Sequence, residues 1–436
     1  EYQMSIGLIT LILFCSIIFL IFFGVPVAFA LGGVSVVFTF LLMGTRGLYT
    51  VATTTYAQIT DTTLITIPLL ILMGQFLTIS GIADRLFQSA NYWLSGVRGN
   101  LALVSLAVCV ALAMTGGFGP GIITMGLVAV PAMLKRRYDK SLALGSVMAG
   151  GVLGALIPPS IIMIIFAYIN RLSIGKLFLG GVVPGLLTAF LFALYILVRC
   201  YLQPQLAPSV EEQVTWKVRW KSLKEVLPPV LLIIAVLGSI FTGLATPTEA
   251  ASLGAIGAMI ICILYRRFSW KIFTESCRET LKITSMVMWI LIGANLFRVF
   301  FTIAGAQEML MGMVGGLEVN RWVIILGMQV ILLIVGMLMD DFAIVVICSP
   351  IFFPIAVSLG FDPLWFAIVF ILNMQVSLLT PPFGWALIMM RGMAPPGVST
   401  RDIWKSVPPF LAIQLLVLVI TILFPMLATW LPGRIL

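Results

Sequence analysis

The residues able to do chemistry in this chain are few, and most stand where long apolar runs break. Ile157-Pro158-Pro159-Ser160 and Thr380-Pro381-Pro382 each interrupt an apolar stretch. A proline removes a backbone donor and blocks the carbonyl one turn earlier, so each pair leaves carbonyl oxygens without helical partners. Free carbonyls suit a hard cation, and the N-terminus of the half-helix that follows suits an anion. The candidate carbonyl donors lie around Gly154, Ile157 and Pro159 in the first break and around Ser377, Thr380 and Phe383 in the second. Two further interruptions accompany them. Thr115-Gly116-Gly117-Phe118 divides an apolar stretch over 101–134, and Gly336 with Asp340-Asp341 divides another over 322–358. Glycines let a backbone approach a ligand closely. Adjacent acids in an apolar run either bind or gate a cation, or one of them pairs with Arg298, which also lies within an apolar span. Asn295 and Asn373 have two readings, donating to a substrate carboxylate or hydrogen-bonding across helices. Glu249 follows Thr246-Pro247-Thr248, where it caps a helix or gates a path.

The elements that hold these residues follow from composition. Of 436 residues, 61% are hydrophobic and 9% charged, too few charges to coat a soluble domain. The apolar runs are continuous and about 20 residues long, so the chain reads as an all-α polytopic membrane protein and not a β-barrel. Spans are expected at 5–23, 26–43, 64–80, 141–170, 177–200, 227–243, 247–265, 283–303, 364–392 and 407–430. The run Ile6 to Phe23 lacks a charged flank and a cleavage site and is expected to be a span, not a signal peptide. A charged segment at about 209–225, with Trp216 and Trp220, reads as a cytoplasmic amphipathic helix on the membrane interface. There is no histidine, which removes the commonest general base and metal ligand. The six cysteines have no paired spacing, and no phosphate-binding glycine motif is present, so neither catalysis nor ATP hydrolysis by this chain is expected. The net charge of +9 reads as a topology signal, not as a nucleic-acid surface.

The two halves correspond. A shift of 223 places Pro131 on Pro354, Asp139 on Asp362 and Pro158-Pro159 on Pro381-Pro382, and a shift of 221 places Pro26, Ala30 and Gly33 on Pro247, Ala251 and Gly254. If 101–134 and 322–358 are re-entrant hairpins, each half crosses the membrane an odd number of times and the repeat is inverted. Most of the 25 Lys and Arg then fall on one side, and only Arg46, Arg171, Lys176, Arg321 and Arg434 on the other. The positive side is cytoplasmic, which puts both termini in the periplasm of a multi-pass protein of the bacterial inner membrane. The expected division is a scaffold of 1–60, 171–265 and 393–436 around a transport domain of 61–170 and 266–392.

The strings GVLGALIPPSI, SIGKLFLGGVVPGLL, LATPTEAASLGA and SLLTPPFG occur in an order that resembles the large membrane subunit of the tripartite ATP-independent periplasmic (TRAP) transporters. The similarity runs over essentially the whole chain. It implies a sodium-coupled uptake system for an organic acid anion, in which a periplasmic substrate-binding protein delivers cargo and a small four-helix membrane subunit sits beside this one. It also implies an elevator, in which hairpins and broken helices slide against a lipid-embedded scaffold. By that resemblance one sodium site uses Thr115 with Gly154, Ile157 and Pro159, and the other uses Gly336 with Ser377, Thr380 and Phe383. The first tip departs from the family's Gly-Ser-Ser run, reading Gly116-Gly117-Phe118, so backbone must replace the missing hydroxyls. The anionic substrate is expected between the tips, on Gly116, Gly117, Phe118 and Ser160, with Asp340, Asn295 and Asn373 nearby. An ion channel and a proton-coupled permease of similar fold are the alternatives.

Overall fold

The computed structural model describes residues 6–114, 118–208, 214–316, 318–382 and 384–435, and not the side chain of Phe118. Among them every regular element is helical. The first half comprises α1 (Ile6–Phe22), α2 (Val27–Ile59), α3 (Thr66–Ile79), α4 (Ile82–Trp93), α5 (Asn100–Ala113), α6 (Phe118–Lys135), α7 (Lys140–Val152), α8 (Ile161–Asn170) and α9 (Ile174–Leu202). The second comprises α10 (Trp216–Phe241), α11 (Pro247–Leu264), α12 (Trp270–Ile303), α13 (Ala306–Gly315), α14 (Arg321–Gly336), α15 (Asp341–Ser358), α16 (Pro363–Leu379), α17 (Trp385–Met393), α18 (Thr400–Ser406) and α19 (Pro408–Leu423), then the short turns α20 (Met426–Thr429) and α21 (Pro432–Ile435). Eight helices among the described residues are long and apolar enough to cross a membrane. Many large side chains, such as Phe22, Leu41, Phe190 and Ile234, are exposed, as a lipid-facing surface requires.

The correspondence between halves extends to local geometry. Asp139 accepts a hydrogen bond from Leu142 N at the start of α7, and Asp362 accepts one from Trp365 N at the start of α16. Each satisfies one of the orphan donors of a helix start. Both proline pairs, Pro158-Pro159 and Pro381-Pro382, contain a cis peptide bond. Arg137, just before Tyr138, and Gly360, just before Phe361, share the left-handed backbone region. α5 pairs with α6 and α14 with α15, forming the two expected hairpins. With 14 and 16 residues, α5 and α14 extend about 21 and 24 Å, short of the ~30 Å hydrocarbon layer.

Packing is reciprocal between halves. α2 lies along α12, and α11 lies along α3. The α2–α12 contact is backbone-close: a Cβ on Gly293 would stand 2.4 Å from Ala28 O, so small residues here let two helices touch. α9 and α19 pack instead on the broken helices: α9 touches α5, α8, α16 and α20, and α19 lies on both α9 and α16.

Three elements differ from the sequence expectation. The charged segment is not a separate interfacial helix. α10 runs from Trp216 through Pro228-Pro229 to Phe241, because proline kinks a helix that otherwise has no stop signal. Its charged turns lean on α4, where Arg85 Nη1 donates to Glu225 Oε2 at 3.0 Å and Trp93 meets Trp216 and Trp220 edge-on; positions 209–213 lie outside the described residues. The second span does not end near 43. α2 continues to Ile59 beyond a turn at Gly44, whose φ of 61° only glycine adopts readily. Two short helices, α4 and α13, occupy matching places ahead of the hairpins, each begun by a left-handed glycine, Gly81 or Gly305.

Candidate functional site

Each proline break is built by the helix ahead of it and the cap behind it. α7 tightens into a 3-10 turn over Leu153–Ala155, where Leu156 N and Ile157 N both donate to Leu153 O. The prolines cannot continue the ladder, and α8 restarts at Ser160. The Ser160 hydroxyl donates to Ala155 O at 2.8 Å and accepts from Met163 N. It is therefore spent on holding the break and is fully buried. The Ile157 and Pro159 carbonyls accept no hydrogen bond among the described residues, though Ile157 is 2% exposed. A buried carbonyl without a partner is uncommon.

In the second break the Ser377 hydroxyl donates to Asn373 O at 3.0 Å and the Thr380 hydroxyl to Val376 O at 2.8 Å. Ser377 O accepts from Thr380 N, and Thr380 O accepts from Gly384 N. Each carbonyl keeps a second lone pair. Gly336, at the end of α14, meets this break directly. A Cβ built on it would lie 2.3 Å from Ser377 Oγ and 2.4 Å from Ser377 Cβ. Only glycine allows the hairpin to close on the broken helix here, so the structure brings Gly336 against Ser377, whose carbonyl accepts from Thr380 N. Phe383 lies outside the described residues, as do Thr115, Gly116 and Gly117 of the first tip.

Both hairpins and the first break border one cavity of about 600 Å³, and α17, the helix after the second break, completes its wall. Gly119 and Pro120 of α6, Gly154 at the first break, Leu338 to Phe342 at the second tip and Trp385 of α17 line it, with Ile21, Ile283 and Met286 from α1 and α12. Most of the wall is apolar. Its ionisable groups are Asp340 and Asp341. Asp341 is 2% exposed; one carboxylate oxygen accepts from Phe342 N at 3.1 Å and the other, Oδ2, has no partner among the described residues. A buried carboxylate oxygen with nothing to bond is costly alone, and a cation or a proton removes that cost.

Other sequence candidates are placed elsewhere. Arg298 does not pair with Asp340 or Asp341. Its Nη2 donates to Asn295 Oδ1 at 2.9 Å, and both residues line a different cavity. The two positions are separated because the cavities lie at different heights of α12. Asn295 is thus not beside the tips. Asn373 is buried and donates to Gln329 O and Gln329 Oε1, each at 2.8 Å, so it ties α16 to α14 and does not face the tip cavity. Glu249 forms a reciprocal cap with Thr246: Thr246 N donates to Glu249 Oε2 at 2.8 Å, and Glu249 N to the threonine hydroxyl at 3.3 Å. Sequence reasoning missed Gln58 and Asp61, which reach the second cavity from the continuation of α2 and the turn after it. Their polar run, 45–61, carried no signal of helix beyond the span.

Paired hairpins, two broken helices and a shared internal cavity in an all-helical multi-pass chain define a membrane transport protein. The fold is similar to that of the YdaH transporter of Alcanivorax borkumensis, with a TM-score of 0.60 at 17% identity over 90% of each chain. Residues 14–427 match the family described as the DctM component of the tripartite ATP-independent periplasmic transporters, and the chain belongs to that family. It is 34% identical over 405 residues to the C4-dicarboxylate TRAP transporter large permease protein DctM of Pseudomonas aeruginosa, covering 92% of this chain and 93% of that one. It is also 32% identical over 412 residues, 94% of this chain, to the isethionate TRAP transporter permease protein DctMQ of Oleidesulfovibrio alaskensis, and spans 64% of that longer protein.

Proposed function

We propose that the chain is the permease subunit of a sodium-coupled, binding-protein-dependent uptake system for an organic acid anion, working as an elevator in the bacterial inner membrane. The cavity bordered by both hairpins, the first break and the helix after the second carries this reading. Carboxylate or sulfonate cargo sits between the tips, held by the N-terminal side of α8 and the backbone of Gly116 to Phe118, since half-helix starts favour negative charge. Sodium is co-substrate. One ion is held by the Gly154, Ile157 and Pro159 carbonyls with Thr115, and a second by Gly336, Ser377, Thr380 and Phe383. Asp341 adds negative charge to the same wall. Cations beside the cargo lower the cost of carrying an anion through lipid. The names of the relatives, one for C4-dicarboxylates and one for isethionate, support an organic anion as the cargo class.

The halves are an inverted repeat, with both termini periplasmic. The division expected from the sequence puts α3 and α12 in the transport domain and α9 and α19 in the scaffold; the packing supports a different grouping, with a frame of α1 to α3 and α10 to α12, which pack on one another. The moving unit is α5 to α9 with α14 to α19, so α9 and α19 travel with the broken helices they cover. Partners are a periplasmic substrate-binding protein and a small membrane subunit, the latter supported by the additional length of the DctMQ relative. The orphaned Asp341 oxygen favours one second reading, proton coupling in place of sodium. Uptake into proteoliposomes, with the binding protein supplied and sodium and proton gradients imposed separately, tests both. Uptake that follows the sodium gradient alone is expected. Uptake driven only by protons would select the second reading, and passive flux without either gradient would select a channel.

A further inference from the structure

A second cavity of about 520 Å³ lies between the C-terminal end of α8, the far end of α2 and the C-terminal third of α12. It is lined by Arg171, Arg298, Asn295, Gln58, Asp61 and Tyr168 among others. Its charged lining residues are two arginines and one aspartate, and neither arginine forms an ion pair with Asp61 within 4.0 Å. Asp61 is already committed as a cap, accepting from Thr63 N at 2.9 Å. Arg298 spends one donor on Asn295 and has others to offer, since a guanidinium carries five. Gln58 is 3% exposed, yet among the described residues neither its amide oxygen nor its amide nitrogen has a hydrogen-bond partner. A buried amide and cationic charge in excess of the acidic charge, facing one cavity, suit a polar anion.

We infer that this cavity is a second anion-binding station, which receives the carboxylate or sulfonate head of the cargo before it reaches the hairpin tips. The inference rests on the uptake reading for the identity of the anion. The two cavities share walls. α8 begins at the tip cavity with Ile161 and Ile162 and ends at the arginine cavity with Ala167 to Ile169, and α12 contributes Ile283 and Met286 to the first but Asn295 and Arg298 to the second. Nine residues of α12, from Met286 to Asn295, correspond to about 13 Å of helix. The arginine cavity therefore sits one helical stride from the tips along the same frame helix. Two guanidinium groups bind a carboxylate by paired N–H donors, Gln58 gives its amide N–H, and Asp61 keeps the net charge low enough to release the cargo.

The test needs no transport. The full chain, with exposed Cys15 and half-buried Cys277 replaced by serine, carries Thr54→Cys on the cavity wall. It is held in nanodiscs of uncharged phosphatidylcholine. Labelling rates with an anionic and a cationic methanethiosulfonate are compared with those of a free thiol. The station predicts an anionic preference of about tenfold, falling about threefold in Arg298→Gln or Arg171→Gln and retained in Arg298→Lys. The lysine variant, with an unchanged elution profile, separates lost charge from lost fold. Millimolar succinate should slow anionic labelling in the parent and not in the double glutamine variant. No preference over the free thiol, or labelling indifferent to succinate, overturns the station. Protection that arises only when phosphatidylglycerol is added also overturns it, in favour of a lipid headgroup. Protection without any gradient-driven uptake would sink the transport reading and leave this site standing.

Discussion

Replacing Gly336 by alanine tests whether the second hairpin must touch the second break. The added methyl would stand 2.3 Å from Ser377 Oγ and 2.4 Å from Ser377 Cβ, where ordinary contacts lie at about 3.5–4.0 Å. α14 and α16 must therefore separate by roughly 1 Å or more, because the Cβ of Ser377 cannot rotate away. Overpacking of this kind costs about 1–3 kcal/mol. A shift of that size would also break the proposed cation shell of Gly336, Ser377 and Thr380. If the whole cost falls on the ion-bound state, sodium affinity drops by about 5- to 150-fold, since 1.4 kcal/mol is a factor of ten. The assay is the sodium dependence of uptake in proteoliposomes at matched protein, alongside thermal unfolding in detergent. Ser377→Gly in the same chain removes both clashing atoms and should restore most of the sodium affinity. Gly312→Ala, on a helix where a Cβ meets nothing within 4 Å, should be neutral and serves as the control. A Gly336→Ala permease with unchanged sodium dependence would refute the claim that this contact forms part of an ion site. Equal loss in the single and the double variant would show that the contact matters for folding alone.

Thr380→Ala loses the hydroxyl that now donates to Val376 O, and it should raise the sodium requirement more than it lowers expression; unchanged uptake at limiting sodium would remove Thr380 from the shell. For topology, cysteines placed at Thr215 and Thr400 should react from the cytoplasmic side and one at Glu318 from the other, and any other pattern breaks the inverted repeat. The elevator predicts that a cysteine at Ile162 cross-links to one at Met286 in the state described here and to one at Asn295 after the moving unit travels about 13 Å along α12; a transport cycle in which only the first pair ever links would favour rocking. Thr246→Ala removes the reciprocal cap with Glu249 and should lower stability by about 1 kcal/mol, seen as a lower melting temperature, with the substrate KM unchanged.

The sequence alone determined what local physics controls. Proline cannot continue a hydrogen-bond ladder, so the interruptions at Pro158-Pro159 and Pro381-Pro382 were legible from two residues each. Asp139 and Asp362 cap helices because a carboxylate accepts from the N–H two or three residues onward, an interaction that needs no tertiary partner. Apolar length identified the spans, and the shared spacing of prolines and aspartates identified the repeat. Tertiary structure decided which side chains meet. In a chain this apolar almost every helix face is greasy, so periodicity does not say whether a face meets lipid or protein. By sequence Arg298 was free to pair with Asp340 or Asp341; packing put its turn of α12 on the other cavity with Gln58, where it bonds Asn295 one turn back on the same helix. Asn295 and Asn373 had the same sequence reading, and packing sent one to a cavity wall and buried the other against Gln329. Gln58 and Asp61 entered the site only because α2 turns at Gly44 and continues. Breaks and caps are settled within a few residues, whereas a cavity is settled by helices more than a hundred residues apart in the chain.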